Sequence, residues 1–216
     1  VTLGKGTYGS YVYLGGVAAQ GQSCSVNESQ NHGAVTVAAD AVCNGVLDMG
    51  GILGRHTTIT LSGTDQTTYY CDDCTNQGNM AQFLQTGQEI MGGIAGYSQA
   101  KMYRDKNYGK VEMSGTVTMN GWRGKNGDCT IAGIVGYKTH GSIYSPESYG
   151  EIVVSGETKE AHATKISQVK IANIVCYTAQ DIQETSVSQG KITVSGTFAT
   201  EVNVGGAAAY SYNTSL

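Results

Sequence analysis

The chain is poor in several residue types, and each shortage excludes something. It has 1 Pro, 1 Trp and 2 Phe in 216 residues. Only 14% of it is charged, 17 acidic against 13 basic residues, for a net charge of −4. There is no basic run, and phosphate neutralisation needs clustered Lys or Arg, so the composition argues against a nucleic-acid partner. No apolar stretch approaches the ~20 residues of a spanning helix, so no membrane span is expected. No long stretch carries apolar residues at helical spacing, and glycine every few residues makes helices costly. A signal peptide is absent and the chain opens on Val1 rather than Met, which suggests a mature or trimmed product. The motifs G-x-S-x-G, H-E-x-x-H and the phosphate-binding P-loop are missing.

What the chain does have is glycine, 31 residues of it, and 14 Tyr. One glycine-rich block recurs about every 40 residues: Met91-Gly92-Gly93-Ile94-Ala95-Gly96-Tyr97, Ile131-Ala132-Gly133-Ile134-Val135-Gly136-Tyr137 and Ile171-Ala172-Asn173-Ile174-Val175-Cys176-Tyr177. Weaker copies start at Met49 and Val204, with a trace at Leu14. A second block keeps step with the first: Gly109-Lys110-Val111-Glu112-Met113-Ser114-Gly115, Gly150 to Gly156 and Gly190 to Gly196. Its alternation points Val111 and Met113, Ile152 and Val154, and Ile192 and Val194 to one side, as in a half-buried strand closed by Ser-Gly. Ile52, Ile94, Ile134 and Ile174 read as an internal ladder.

A fixed period of this size means a repeat architecture, in which each unit buries its apolar face against its neighbours. A weaker middle strand falls at Ala100–Tyr103, Gly141–Tyr144 and Asp181–Glu184. Three strands and three bends per unit, each strand pairing with its copy in the next coil, describe an all-β, right-handed parallel β-helix (β-solenoid) with coils of about 40 residues. A β-propeller-like repeat is the alternative, although a blade needs four antiparallel strands. The expected organisation is an irregular coil or cap over 1–48 and a repeat solenoid over 49–216, with 64–89 looking like an insertion.

These blocks, with the middle segments Cys74-Thr75-Asn76-Gln77-Gly78 and Asn107-Tyr108-Gly109, resemble the glycine-rich GLUG-type repeats of bacterial cell-surface and secreted proteins, notably of Bacteroidetes type. The resemblance spans roughly Gly50 to Tyr210. It implies a parallel β-helix, surface exposure and adhesin-like or protease-associated settings.

Few residues suggest chemistry. Cysteines at 24, 43, 71, 74, 129 and 176 are too sparse for a disulfide framework. Cys176 stands where the repeat has Gly96 and Gly136 and reads as a buried free thiol. Cys71-Asp72-Asp73-Cys74 is a lone C-x-x-C, read as a local disulfide or two unpaired thiols, since zinc wants a second pair or histidines. No cofactor is expected. Asp65, Asp72 and Asp73 are weak calcium candidates. Asp72 and Asp73 would also centre a polysaccharide lyase or hydrolase, but adjacent strand residues point to opposite faces. The four histidines, 32, 56, 140 and 162, read as surface imidazoles.

Binding residues are easier to nominate. Trp122 and Arg123 sit between two Asn-Gly turns, where an indole beside cations could stack on a sugar or fold back onto the solenoid flank. Tyr97, Tyr137, Tyr177 and Tyr210 would form a column ~4.8 Å apart per coil, a structural ladder or a platform for a glycan or partner protein. The expected function is a non-enzymatic extracellular stalk or binding module for a glycan or surface protein. A structural subunit of a fibre is the other possibility, because a β-helix exposes unpaired backbone at each end and invites end-to-end self-association.

Overall fold

The computed structural model describes residues 1–58, 69–83, 85–118, 128–159 and 168–212. Among these residues there is no helix, and the short strands pair in parallel within five sheets. The chain visits the sheets in a fixed order. One passage runs through Ala95–Ser98, Lys101–Tyr103, Lys106–Asn107, Val111–Met113 and Thr116–Val117. The next runs through Val135–Lys138, Ile143–Tyr144, Glu147–Ser148, Ile152–Val154 and Glu157–Thr158, each pairing with its predecessor. Cys129–Ala132 and Val169–Ala172 join the sheet that holds Gln85–Gly92. Pairing with the neighbouring passage satisfies backbone donors and acceptors without hairpins. Parallel stacking rules out the propeller, whose blades are antiparallel.

Five sheets replace the three strands expected per unit, because the glycine block is divided between two sheets, as at Gln85–Gly92 and Ala95–Ser98, and the expected middle strand is followed by a second one. At the bend between them Glu28, Asp73, Arg104, Ser145 and Glu184 have φ of 46°, 53°, 50°, 46° and 65°. A left-handed conformation is unfavourable for residues with a Cβ. Here the amide of each bend bonds the next passage: Asp73 N–H to Tyr103 O at 2.8 Å, Arg104 N–H to Tyr144 O at 2.9 Å and Ser145 N–H to Gln183 O at 3.1 Å.

The same sheets extend into the first 48 residues. Thr2 and Leu3 pair with Thr36 and Val37, Tyr11–Gly15 with Val46 to Gly50, and Ala18–Gln22 with Leu53–Thr57. Tyr70–Asp72, Thr75–Asn76 and Met80–Gln82, inside the segment expected to be an insertion, are also in register with neighbours on both sides.

The core has two main columns. Met49, Met91, Ile131 and Ile171 pack with Val111, Met113, Ile152 and Val154. Ile52, Ile94, Ile134 and Ile174, all at 0% exposure, pack with Cys71, Met102 and Ile143. At the last passage Ile192, Val194 and Val202 are only partly covered.

A polar ladder runs beside the glycine corners. Asn31 Nδ2 donates to Asn76 Oδ1 at 2.8 Å, and Asn76 Nδ2 donates to Asn107 Oδ1 at 2.8 Å. Each amide also donates to the carbonyl two residues on, at Gly33, Gly78 and Gly109. Gly93 is required there: a Cβ would meet Gly133 O at 2.0 Å and Asn107 Cγ at 2.4 Å. Two corners carry serine at the asparagine position, Ser148 beside Gly133 and Ser188 beside Asn173, and the second also changes the glycine. Asn173 occupies the glycine position and Ser188 the asparagine position, and Asn173 Nδ2 donates to Ser188 Oγ at 3.1 Å and Gly190 O at 2.7 Å.

Candidate functional site

Strand pairing places Tyr97, Tyr137, Tyr177 and Tyr210 at one register position of successive strands. Their rings stack at centroid separations of 5.9, 4.3 and 5.5 Å with interplanar angles of 10°, 6° and 8°. Arg55 closes one end of the column, its guanidinium 4.2 Å from the Tyr97 centroid. Because ring faces cover one another, a face is free only at an end of the stack. Burial raises the Tyr137 phenol pKa, and the neighbouring Tyr177 adds to it. Tyr97 Oη and Thr139 Oγ1 are 3.1 Å apart. Two shorter stacks were not foreseen: Tyr103 on Tyr144 at 4.6 Å, and Tyr108 on Tyr149 at 4.9 Å. Their signal was available, since each pair shares a position in adjacent strands or just after them.

Ion pairs flank the column. Arg55 Nη1 donates to Asp48 Oδ2 at 2.6 Å, with Asp48 fully buried. Burial pushes the Asp48 carboxyl up to about 6, against the pull of Arg55. Lys170 Nζ donates to Asp128 Oδ2 at 2.7 Å and lies 5.7 Å from the Tyr210 centroid.

A second group lies inside the bend between the Tyr70–Asp72 and Thr75–Asn76 strands. The left-handed turn at Asp73 lets Cys71 and Cys74, three residues apart, both point inward; each is 1% exposed or less. They are free thiols, as are the other four cysteines, Cys176 among them and buried. Asp105, 1% exposed, comes from the next passage. Its Oδ1 accepts the Cys74 N–H at 3.0 Å and lies 3.5 Å from Cys71 Sγ. The three ligand atoms lie within 4.8 Å of one another. A mutual thiol hydrogen bond pushes Cys71 up and Cys74 down, burial adding to the rise at Cys71, and burial lifts Asp105. Lys138, also fully buried, donates to Ala100 O and His140 O, and burial pulls its pKa down to about 7 against the attraction of Cys71 and Asp105.

His56 corrects the expectation of surface imidazoles. It is 0% exposed, with Nε2 2.8 Å from Cys24 O, and burial lowers its pKa. Asp72 Oδ1 accepts from Arg104 Nη2 at 2.5 Å. Trp122, Arg123, Asp65 and His162 lie outside the described residues. The link between Cys74 and Asp105 escaped the sequence reading because their separation is 31 residues, whereas the glycine block repeats at 40. The repeats carry their extra residues at different points of the passage.

Together these features define a class: an all-β chain of parallel strands in stacked sheets, with tyrosine stacks on its surface. Comparison with protein-family models, with curated proteins and with solved structures gives no match. No helix among the described residues is long and apolar enough to cross a membrane.

Proposed function

We propose that this chain is a non-enzymatic, extracellular β-solenoid, a right-handed parallel β-helix with coils of about 40 residues, acting as an adhesin-like stalk or binding module. The GLUG-type resemblance supports a bacterial cell-surface setting. The observation that carries the reading is the in-register tyrosine column, Tyr97 to Tyr210, on four successive strands. Its geometry favours contact through phenol hydroxyls and ring edges rather than stacking on a ring face, so the ligand is a hydroxyl-rich glycan lying along the column. Trp122 and Arg123 are the sequence's candidates for additional contacts.

The test is binding of the purified chain to an immobilised glycan panel, with Tyr137→Phe/Tyr177→Phe as the probe. Removing two hydroxyls while keeping the stack is expected to weaken binding about tenfold, the worth of roughly one good hydrogen bond. Trp122→Ala reports separately on the second candidate. Undiminished binding by the double Phe variant sinks the hydroxyl-edge reading, and no binding by the wild type sinks the glycan module.

The fibre-subunit reading is favoured by one observation among the described residues, the exposure of Val204 and Tyr210 on the last strands and of Tyr212 just after them at 53%, 40% and 55%. Light scattering across a concentration series, with electron microscopy, separates the two. Concentration-dependent rods support the fibre, and a monodisperse monomer removes it.

A further inference from the structure

We infer that Cys71, Cys74 and Asp105 form a binding site for one thiophilic divalent cation, zinc first, that ties two successive passages of the chain together. This inference is independent of the glycan reading.

The repeat itself singles out these residues. Cys71 stands in a column whose other members are Val26, Met102, Ile143 and Ile182, all apolar. Cys74 and Asp105 each follow the left-handed bend residue of their passage, at positions filled elsewhere by Ser29, Pro146 and Thr185. Sulfur and carboxylate ligands thus replace core-forming or neutral residues at one place in the stack. The bend aims both sulfurs inward, whereas an extended strand would send residues three apart to opposite faces.

The distances suit the ion. With zinc–sulfur near 2.3 Å and zinc–oxygen near 2.0 Å, a tetrahedral site separates sulfur from oxygen by about 3.5 Å. Cys71 Sγ and Asp105 Oδ1 are 3.5 Å apart. The Cys74 amide holds the carboxylate in orientation through its bond to Oδ1, as outer-shell donors do in metal centres. Asp105 Oδ2 is buried with no hydrogen-bond partner, so one oxygen of this carboxylate is uncompensated.

Two thiolates, one carboxylate and a dication sum to one negative charge. Thiolates select zinc and its relatives over calcium or magnesium, whose ligands are oxygens. Three protein ligands leave the fourth position to water.

The experiment uses the whole chain, reduced and stripped with a chelator, and titrates it first with cobalt(II) and then with zinc. One equivalent of cobalt is expected to give a sulfur-to-cobalt charge-transfer band with tetrahedral ligand-field absorption, and zinc should bleach both. Cys74→Ser should abolish the charge-transfer spectrum or cut affinity more than 100-fold. Asp105→Asn should weaken binding at least tenfold, and Cys176→Ser, remote from the site, should change nothing. Circular dichroism confirms that each variant is folded. If a variant does not fold, the wild-type spectrum and its loss on blocking the thiols decide the matter. Absence of a charge-transfer band while thiol titration shows Cys71 and Cys74 reduced overturns the site. So does a Cys71–Cys74 disulfide that re-forms in the presence of excess zinc, or binding that Asp105→Asn leaves unchanged.

Discussion

Glu89 shows what a single buried carboxyl does to this protein. It is 0% exposed, and its Oε2 accepts from Gln82 Nε2 at 2.8 Å. Burial pushes its pKa well above the usual carboxylate range. A carboxyl raised on folding binds more protons in the native state, so its contribution to stability is complete below the unfolded pKa near 4.3 and is lost as pH rises through the folded value. Asp48, raised to about 6, acts the same way between roughly pH 4 and 6. These two carboxyls therefore contribute less stability at pH 9 than at pH 5, while Lys138 and His56, whose pKa values burial lowers, act in the opposite sense. Glu89→Gln keeps the shape and removes the charge. We expect its unfolding free energy to match the wild type within about 1 kcal/mol at pH 5 and to exceed it at pH 9, as urea denaturation measures. Stability profiles of the two proteins that run parallel from pH 5 to 9 would show that Glu89 does not titrate in this range.

At the scale of the element, the asparagine ladder holds the glycine corners, and it explains the glycine at 51 and 93. An asparagine from one strand fills the space that a Cβ at Gly51 or Gly93 would need. Asn173 inverts the arrangement by supplying the amide from the glycine position while Ser188 makes room. Asn173→Gly alone strips two hydrogen bonds and should cost about 1–3 kcal/mol. Ser188→Asn alone puts two amides into one space and should also destabilise. The double variant recreates the Gly93–Asn107 pairing and should return to within about 1 kcal/mol of the wild type, a favourable coupling typical of residues in contact. A double-mutant cycle by urea denaturation measures it. Additive losses would mean that the corner is not a shared space.

On the scale of the whole molecule, each passage contacts its neighbours above and below, so stability should be close to a sum over passages. Ala132 and Ala172 are register partners, and the chain can be cut at one and rejoined after the other. Deleting 133–172 should leave a folded protein that is shorter by ~4.8 Å and somewhat less stable. Deleting 133–152 removes half a passage, breaks the register and should abolish the fold. Far-UV circular dichroism and small-angle scattering distinguish the outcomes. If both deletions unfold alike, the passages are not separable units.

The sequence alone determined the periodic parts. Glycine blocks at a spacing of 40, the alternation of Val111 and Met113 or Ile152 and Val154, and the Ile94–Ile134–Ile174 ladder are local patterns with a constant period, so they reveal parallel stacking and the Tyr97–Tyr137–Tyr177 column. Positions were legible wherever identical neighbours must lie on top of one another. The tertiary structure decided what depends on the bends. The left-handed residues split the expected middle strand between two sheets and carry no common residue type, while the glycine corner divides the first block between two more. Inserted residues fall at different points of each passage, which shifts the offset from 40 to 31 and hides the meeting of Cys74 with Asp105. Ring orientation was equally invisible, because a periodic tyrosine specifies where a side chain starts, while packing against the next ring decides that its face is covered.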